Sequence, residues 1–407
     1  MNVSCSSPIE YQRRQKNLIL ASKWCPIIVG FSFFLALAWA ITSFTYLETT
    51  TSSMKELDSN SGSTSNFYPL LALGLLSALF FFIGISSALP NTKESPTNLK
   101  RQKFGHYFAK IFLLTSVSLS LIYIAKGWSP LLTGADRFQN YGDINPAIKI
   151  IAGQLTSLPI ILGALYKSIK KKTFAVAILS GIVFLVISGE KFSGLIAFTG
   201  SLTIGLVAAG LAKQDIPKKK MLIAIIAIFT TSIFLGYQNK DSAYDAAEER
   251  FLIMQGQVWW EVSNSKTGTG NLESIEKWMG NAIPASMYES YASRGVVLSM
   301  GGVPLIYKSE PVFSFIIIPL ISVLLGITLG ITAQLLKRKK FISALLVFKS
   351  YIYLSSVFLM GEFSEIESLK FVIYLLTPII PIAMHINIIK LRKPTFRNRS
   401  SLAKKIQ

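Results

Sequence analysis

Residues Phe67–Leu89 read FYPLLALGLLSALFFFIGISSAL, 23 positions without one charged side chain. At ~1.5 Å per residue, a helix of this length covers the ~30 Å of hydrocarbon in a bilayer. Apolar residues follow one another without the polar alternation of a strand that faces lipid on one side and a lumen on the other, which excludes an outer-membrane barrel. A helix satisfies all its backbone groups internally, as hydrocarbon requires.

The stretch is one of several. The chain has 407 residues, of which 51% are hydrophobic and 15% charged, and its mean hydropathy is +0.47, so it has too little polar surface for a soluble protein. Apolar blocks lie near Cys25–Tyr46, Phe67–Leu89, Tyr107–Ala125, Ile150–Tyr166, Thr173–Ser188, Ser193–Leu211, Met221–Tyr237, Val312–Leu335, Phe341–Met360 and Phe371–Ile389. They predict an all-α integral membrane protein of about ten spans. Between Thr173 and Leu211 only Gly189-Glu190-Lys191 and flanking serines interrupt the apolar run. Two short helices joined by a tight turn fit that stretch better than one helix of nearly twice a membrane thickness.

Orientation follows from the basic residues. With both termini inside, 28 Lys and Arg fall on the cytoplasmic side and 12 on the exported side, while Lys349 lies within a span. Of the acidic residues only Glu10, Glu94 and Asp215 fall inside. The formal charge of +20 is therefore topological and gives no support to nucleic-acid binding. The expected organisation is a cytoplasmic segment 1–24 and seven helices over 25–237, with exported loops 47–66 and 126–149. A large exported loop 238–311 follows, then three helices over 312–389 and a basic cytoplasmic tail 390–407. The expected location is the cytoplasmic (inner) membrane, as a multi-pass protein, with the first span acting as an uncleaved anchor.

Several chemistries are disfavoured. Cys5 and Cys25 fall on or beside the cytoplasmic side, where a disulfide is not expected. No Asp-x-Asp, His-x-x-x-His or Cys-x-x-Cys occurs, so neither a metal nor a cofactor is expected. No Walker-type loop is present to drive transport with ATP.

Candidate functional residues concentrate in exported loops. The loop Tyr237–Pro311 far exceeds a helix connection. Within it, Asp245–Glu261 reads as an amphipathic helix, with Arg250, Gln257 and Glu261 on one stripe and Phe251, Leu252 and Val258 on another. Trp259 and Trp260 also fit the plainer reading of an interfacial anchor. Exported arginines occur at Arg137, Arg250 and Arg294, each also readable as a solvated loop residue. A planar guanidinium fork suits phosphate, and a diphosphate calls for two or more converging cations. Glu190-Lys191 reads either as a polar turn or as a shallow site at the membrane surface.

The approximate span number, the Arg137 loop and the late-loop sequence Glu-Arg-Phe-Leu-Ile-Met-Gln-Gly-Gln-Val-Trp-Trp at 249–260 together resemble the bacterial O-antigen and capsule repeat-unit polymerases, the Wzy group. The layout matches along the whole chain; residue-level likeness is confined to Arg137 with its flanks and to Asp245–Glu261. Related O-antigen ligases carry a histidine in the late exported loop, and none lies between Tyr237 and Pro311 here. The resemblance implies a GT-C-like polymerase or ligase architecture and a metal-independent membrane glycosyltransferase. Its substrates would be polyprenyl-diphosphate-linked glycans, joined into O-antigen or capsular polysaccharide, and its partners flippase and chain-length regulator proteins. The expected catalytic residues are Arg250 and Arg137 for diphosphate charge, with Glu261 and Glu249 ahead of Asp245 and Glu190 as proton acceptors. Arg294, Lys191, Glu190, Gln255, Gln257, Trp259, Trp260 and Tyr288 are expected to contact substrate. A lipid-linked oligosaccharide flippase, an O-antigen ligase and a non-enzymatic export component stay open as alternatives.

Overall fold

The computed structural model describes residues 25–54, 59–89, 99–133, 144–189, 192–210, 248, 252–253, 255–264, 300–361, 363, 366, 368–380 and 383. The described helices, in chain order, are α1 (Phe31–Thr49), α2 (Phe67–Ala88), α3 (Leu99–Ala125), α4 (Pro130–Thr133), α5 (Pro146–Gln154), α6 (Pro159–Ala164), α7 (Lys171–Ile187) and α8 (Phe192–Ala208). There follow α9 (Gln257–Asn264), α10 (Gly302–Ser309), α11 (Pro311–Lys337), α12 (Phe341–Ser355), which runs into a π turn at Ser356–Met360, and α13 (Leu369–Leu376). The strand pairing among the described residues is a two-residue antiparallel ladder, β1 (Ser53–Met54) with β2 (Ser59–Asn60), inside the loop that joins α1 to α2.

Among the described residues, six helical stretches are long and apolar enough to cross a membrane: Phe31–Thr49, Phe67–Ala88, Lys103–Ala125, Pro146–Ala164, Pro311–Lys337 and Phe341–Leu359. Their outward faces support that assignment. On α3, Tyr107, Ile111, Leu114, Leu121 and Ile124 are exposed at steps of three, four or seven residues, an apolar stripe that water would not tolerate and lipid would. The chain is an α-helical membrane protein. Met221–Tyr237, expected to be a span, lies outside the described residues, as does the latter part of Phe371–Ile389.

Sequence chemistry sets the breaks. Ile150–Tyr166 is not one continuous helix: α5 ends at Gln154, four turn residues follow, and Pro159 opens α6 at a position where its missing N–H costs nothing. Thr173–Leu211 does form two helices, and Gly189, at φ 73°, terminates α7 in the left-handed region.

Helix packing uses small residues. In lipid, helices gain little from hiding apolar surface, so close backbone approach supplies the contact. On α2, a side chain at Gly84 would collide with the Val323 carbonyl of α11, and one at Gly326 would collide with the Phe81 carbonyl. Beside them the hydroxyls of Ser77 and Ser322 bond at 2.8 Å. The same device joins α6 to α8, where Gly163 and Gly205 abut each other's helix backbones.

Candidate functional site

One end of the bundle gathers the end of α1, the start of α2, α9 and α10. Trp259 and Trp260 anchor α9 there. The Trp259 ring lies 5.9 Å from that of Phe44, is fully buried, and donates its indole N–H to Met300 O at 3.1 Å. Trp260 is 5% exposed and donates to Gly62 O at 2.7 Å. Both indole groups are spent on backbone carbonyls and both rings are enclosed by protein. The expected sugar-stacking and interfacial-anchor roles of Trp259 and Trp260 are therefore corrected: Trp260 pins α9 to the α1–α2 loop, and Trp259 pins it to α1 and to the residue that leads into α10.

That loop forms a strap across α9. The Glu48 carboxylate accepts from Thr64 N and Thr64 Oγ1, each at 2.7 Å, and from Ser63 Oγ at 3.3 Å. The Thr64 hydroxyl meets that of Ser263 on α9. Asn66 Nδ2 donates to Ser263 O at 3.2 Å, and Tyr307 of α10 donates its hydroxyl to Asn66 Oδ1 at 3.2 Å. The chain of bonds fixes α9 and α10 relative to each other.

Asp245–Glu261 was expected to be one helix; α9 begins only at Gln257, after a turn at Gln255 and Gly256. The cause is a backbone contact. A side chain at Gly256 would strike the backbone of Ser43 and Phe44 on α1, and the Ser43 hydroxyl donates to Leu252 O at 2.9 Å and Ile253 O at 3.1 Å. Of the stripe expected from Arg250 through Gln257 to Glu261, the described part is α9, where a spacing of four residues puts Gln257 and Glu261 on one face. Gln257 is 2% exposed and its Oε1 has no hydrogen-bond partner among the described residues. It is buried beneath the site rather than open to substrate, as is much of α9. Gln255 is half-buried in the turn.

Glu261 is half-buried on α9. Burial raises its affinity for a proton above that of an ordinary carboxyl, and Lys308 on α10 opposes the shift through its charge. Burial in turn lowers the Lys308 pKa, and Glu261 opposes that. Glu261 and Lys308 thus act on each other through their charges. A group with raised proton affinity beside a cation is suited to accept a proton from a bound hydroxyl.

Of the other expected site residues, Arg137, Glu190, Lys191, Asp245, Glu249, Arg250, Tyr288 and Arg294 lie outside the described residues. The structure adds Lys308, Glu48, Thr64 and Ser263. Lys308 is separated from Glu261 by 47 positions and sits among residues that read as the approach to a span, so spacing gave no signal for it.

Residues 269–375 match DUF6418, a family of unknown function. The match takes in Lys308, α11 and α12 and stops short of Glu261. No curated protein and no solved structure matches the chain.

Proposed function

We propose that this chain is a membrane glycosyltransferase that polymerises polyprenyl-diphosphate-linked repeat units. The observation that carries the reading is Glu261, a half-buried carboxyl with raised proton affinity, held on a short helix at one end of a membrane bundle and facing a lysine. In the reaction, an acceptor hydroxyl oxygen attacks the anomeric carbon of the growing chain, and the bond from that carbon to the diphosphate oxygen breaks. The diphosphate leaves with the bonding pair and Glu261 takes the hydroxyl proton. Arg250 and Arg137, outside the described residues, are assigned to the charge that grows on the leaving group. The charge distribution along the chain supports an outward-facing site on the cytoplasmic membrane.

The test uses purified protein in vesicles with synthetic lipid-linked repeat units and EDTA, read as a ladder of glycan lengths. Wild type is expected to extend the ladder. Glu261→Gln keeps the side chain's shape but cannot take the proton, so its turnover should fall by roughly 10²–10⁴, the usual contribution of a positioned general base. A normal ladder from Glu261→Gln, or none from wild type beside a working polymerase, removes the assignment.

A further inference from the structure

We propose that the end of the bundle opposite Glu261 carries a binding site for one anionic phospholipid, its phosphate on a cluster of lysines and its acyl chains along α3. Two contacts build the cluster from segments far apart in sequence. The rings of Phe104 on α3 and Phe341 on α12 stack with centroids 5.9 Å apart. One residue further, Gly105 leaves room for the turn before α7: a Cβ there would lie 3.0 Å from Ser168 Cβ and 3.3 Å from Ile169 Cγ1. Lys103, Lys170, Lys171, Lys172, Lys339 and Lys340 are thereby brought to one patch, and all but Lys340 are exposed. The four carboxylates among the described residues, Glu48, Glu248, Glu261 and Glu310, belong to the opposite end.

Local helix energetics does not account for the pair at the start of α7. Lys171 and Lys172 open α7, where the helix dipole disfavours cations. Lys339 adopts a left-handed φ of 65°, a conformation that favours glycine, in a turn fixed by Lys339 N to Leu336 O at 2.9 Å and Lys340 N to Leu335 O at 3.0 Å. Helices carry Lys103, Lys171 and Lys172, a bonded turn fixes the backbone at Lys339 and Lys340, and a cluster of lysines at a membrane edge attracts anionic headgroups. The apolar half of the ligand has its own surface. From Lys103 the outward face of α3 continues through Tyr107, Ile111 and Leu114, which are 64%, 63% and 68% exposed, and Ile342 beside the patch is 79% exposed. An amphiphile uses both surfaces; a free phosphate uses only the lysines.

The experiment is native mass spectrometry of the purified full chain in detergent, titrated with phosphatidylglycerol, phosphatidylcholine or inorganic phosphate. One phosphatidylglycerol per chain should saturate, phosphatidylcholine should be retained at least about tenfold less, and millimolar phosphate should not displace the lipid. Each lysine near a charged headgroup contributes about fivefold in affinity, so Lys171→Gln/Lys172→Gln and Lys339→Gln/Lys340→Gln should each lose roughly 25-fold. Lys126→Gln, beyond the other end of α3, should change nothing. Equal retention of the two lipids, uptake that climbs without a plateau, unchanged binding in both double variants, or displacement by phosphate would each overturn the proposal. Wild-type discrimination between the two lipids decides the matter even where a variant fails to fold.

Discussion

Burial pulls the Glu261 proton affinity up and the Lys308 charge pulls it down, so a single substitution separates the two influences. A general base works only when deprotonated, so the acid limb of the activity profile should lie above the usual carboxylate range. Lys308→Gln removes the lowering influence, and that limb should move to still higher pH; a limb that stays put or moves down contradicts the electrostatic coupling. The same shift acts on stability. A carboxyl that holds its proton more tightly when folded contributes stability at low pH, and the contribution is lost as pH rises through its folded titration. Glu261→Gln should therefore flatten that fall in thermal unfolding while remaining at least as stable as wild type near neutrality. Trp259 makes a different demand, because its ring fills space between α1 and α2 and its N–H satisfies Met300 O. Trp259→Ala should cost about 3–5 kcal/mol, read by unfolding in detergent, whereas an interfacial anchor would show little loss.

Among the elements, α2 and α11 depend on the absence of side chains more than on polar bonds. Gly84→Ala places a methyl group against the Val323 carbonyl, and the helices must separate to admit it. The Ser77–Ser322 bond is worth only ~0.6 kcal/mol on the average measured for such pairs in membranes. The unfolding temperature should accordingly fall more for Gly84→Ala than for Ser77→Ala/Ser322→Ala, and the reverse order would mean that the hydrogen bond dominates. The element most misjudged from sequence is α9. Its periodicity continues smoothly through Gly256, and nothing local reveals that the glycine meets α1 there. A continuous helix was the expectation because periodicity records which faces are apolar and not which backbones touch.

For the molecule as a whole, the strap 61–66, α9 and α10 sit at one end and Lys170 and Lys339 at the other. Single cysteines at Ser63 and Lys308 should react with a membrane-impermeant reagent from one side, and those at Lys170 and Lys339 only from the opposite side. Labelling of Ser63 and Lys339 from the same face would break the arrangement. The sequence by itself determined the membrane class, the limits of Phe67–Ala88 almost to the residue, and the division of Thr173–Leu211 into two helices, because length, apolarity and turn chemistry are local properties. It also offered Glu261 as a candidate carboxyl beside Trp259 and Trp260. Only the tertiary structure decided that Trp259 and Trp260 are buried clamps, that a strap joins α1, α2, α9 and α10, and that Lys308 is the cation beside Glu261. Those relations join residues from 16 to 241 positions apart, and the packing that creates them leaves no period or spacing in the chain.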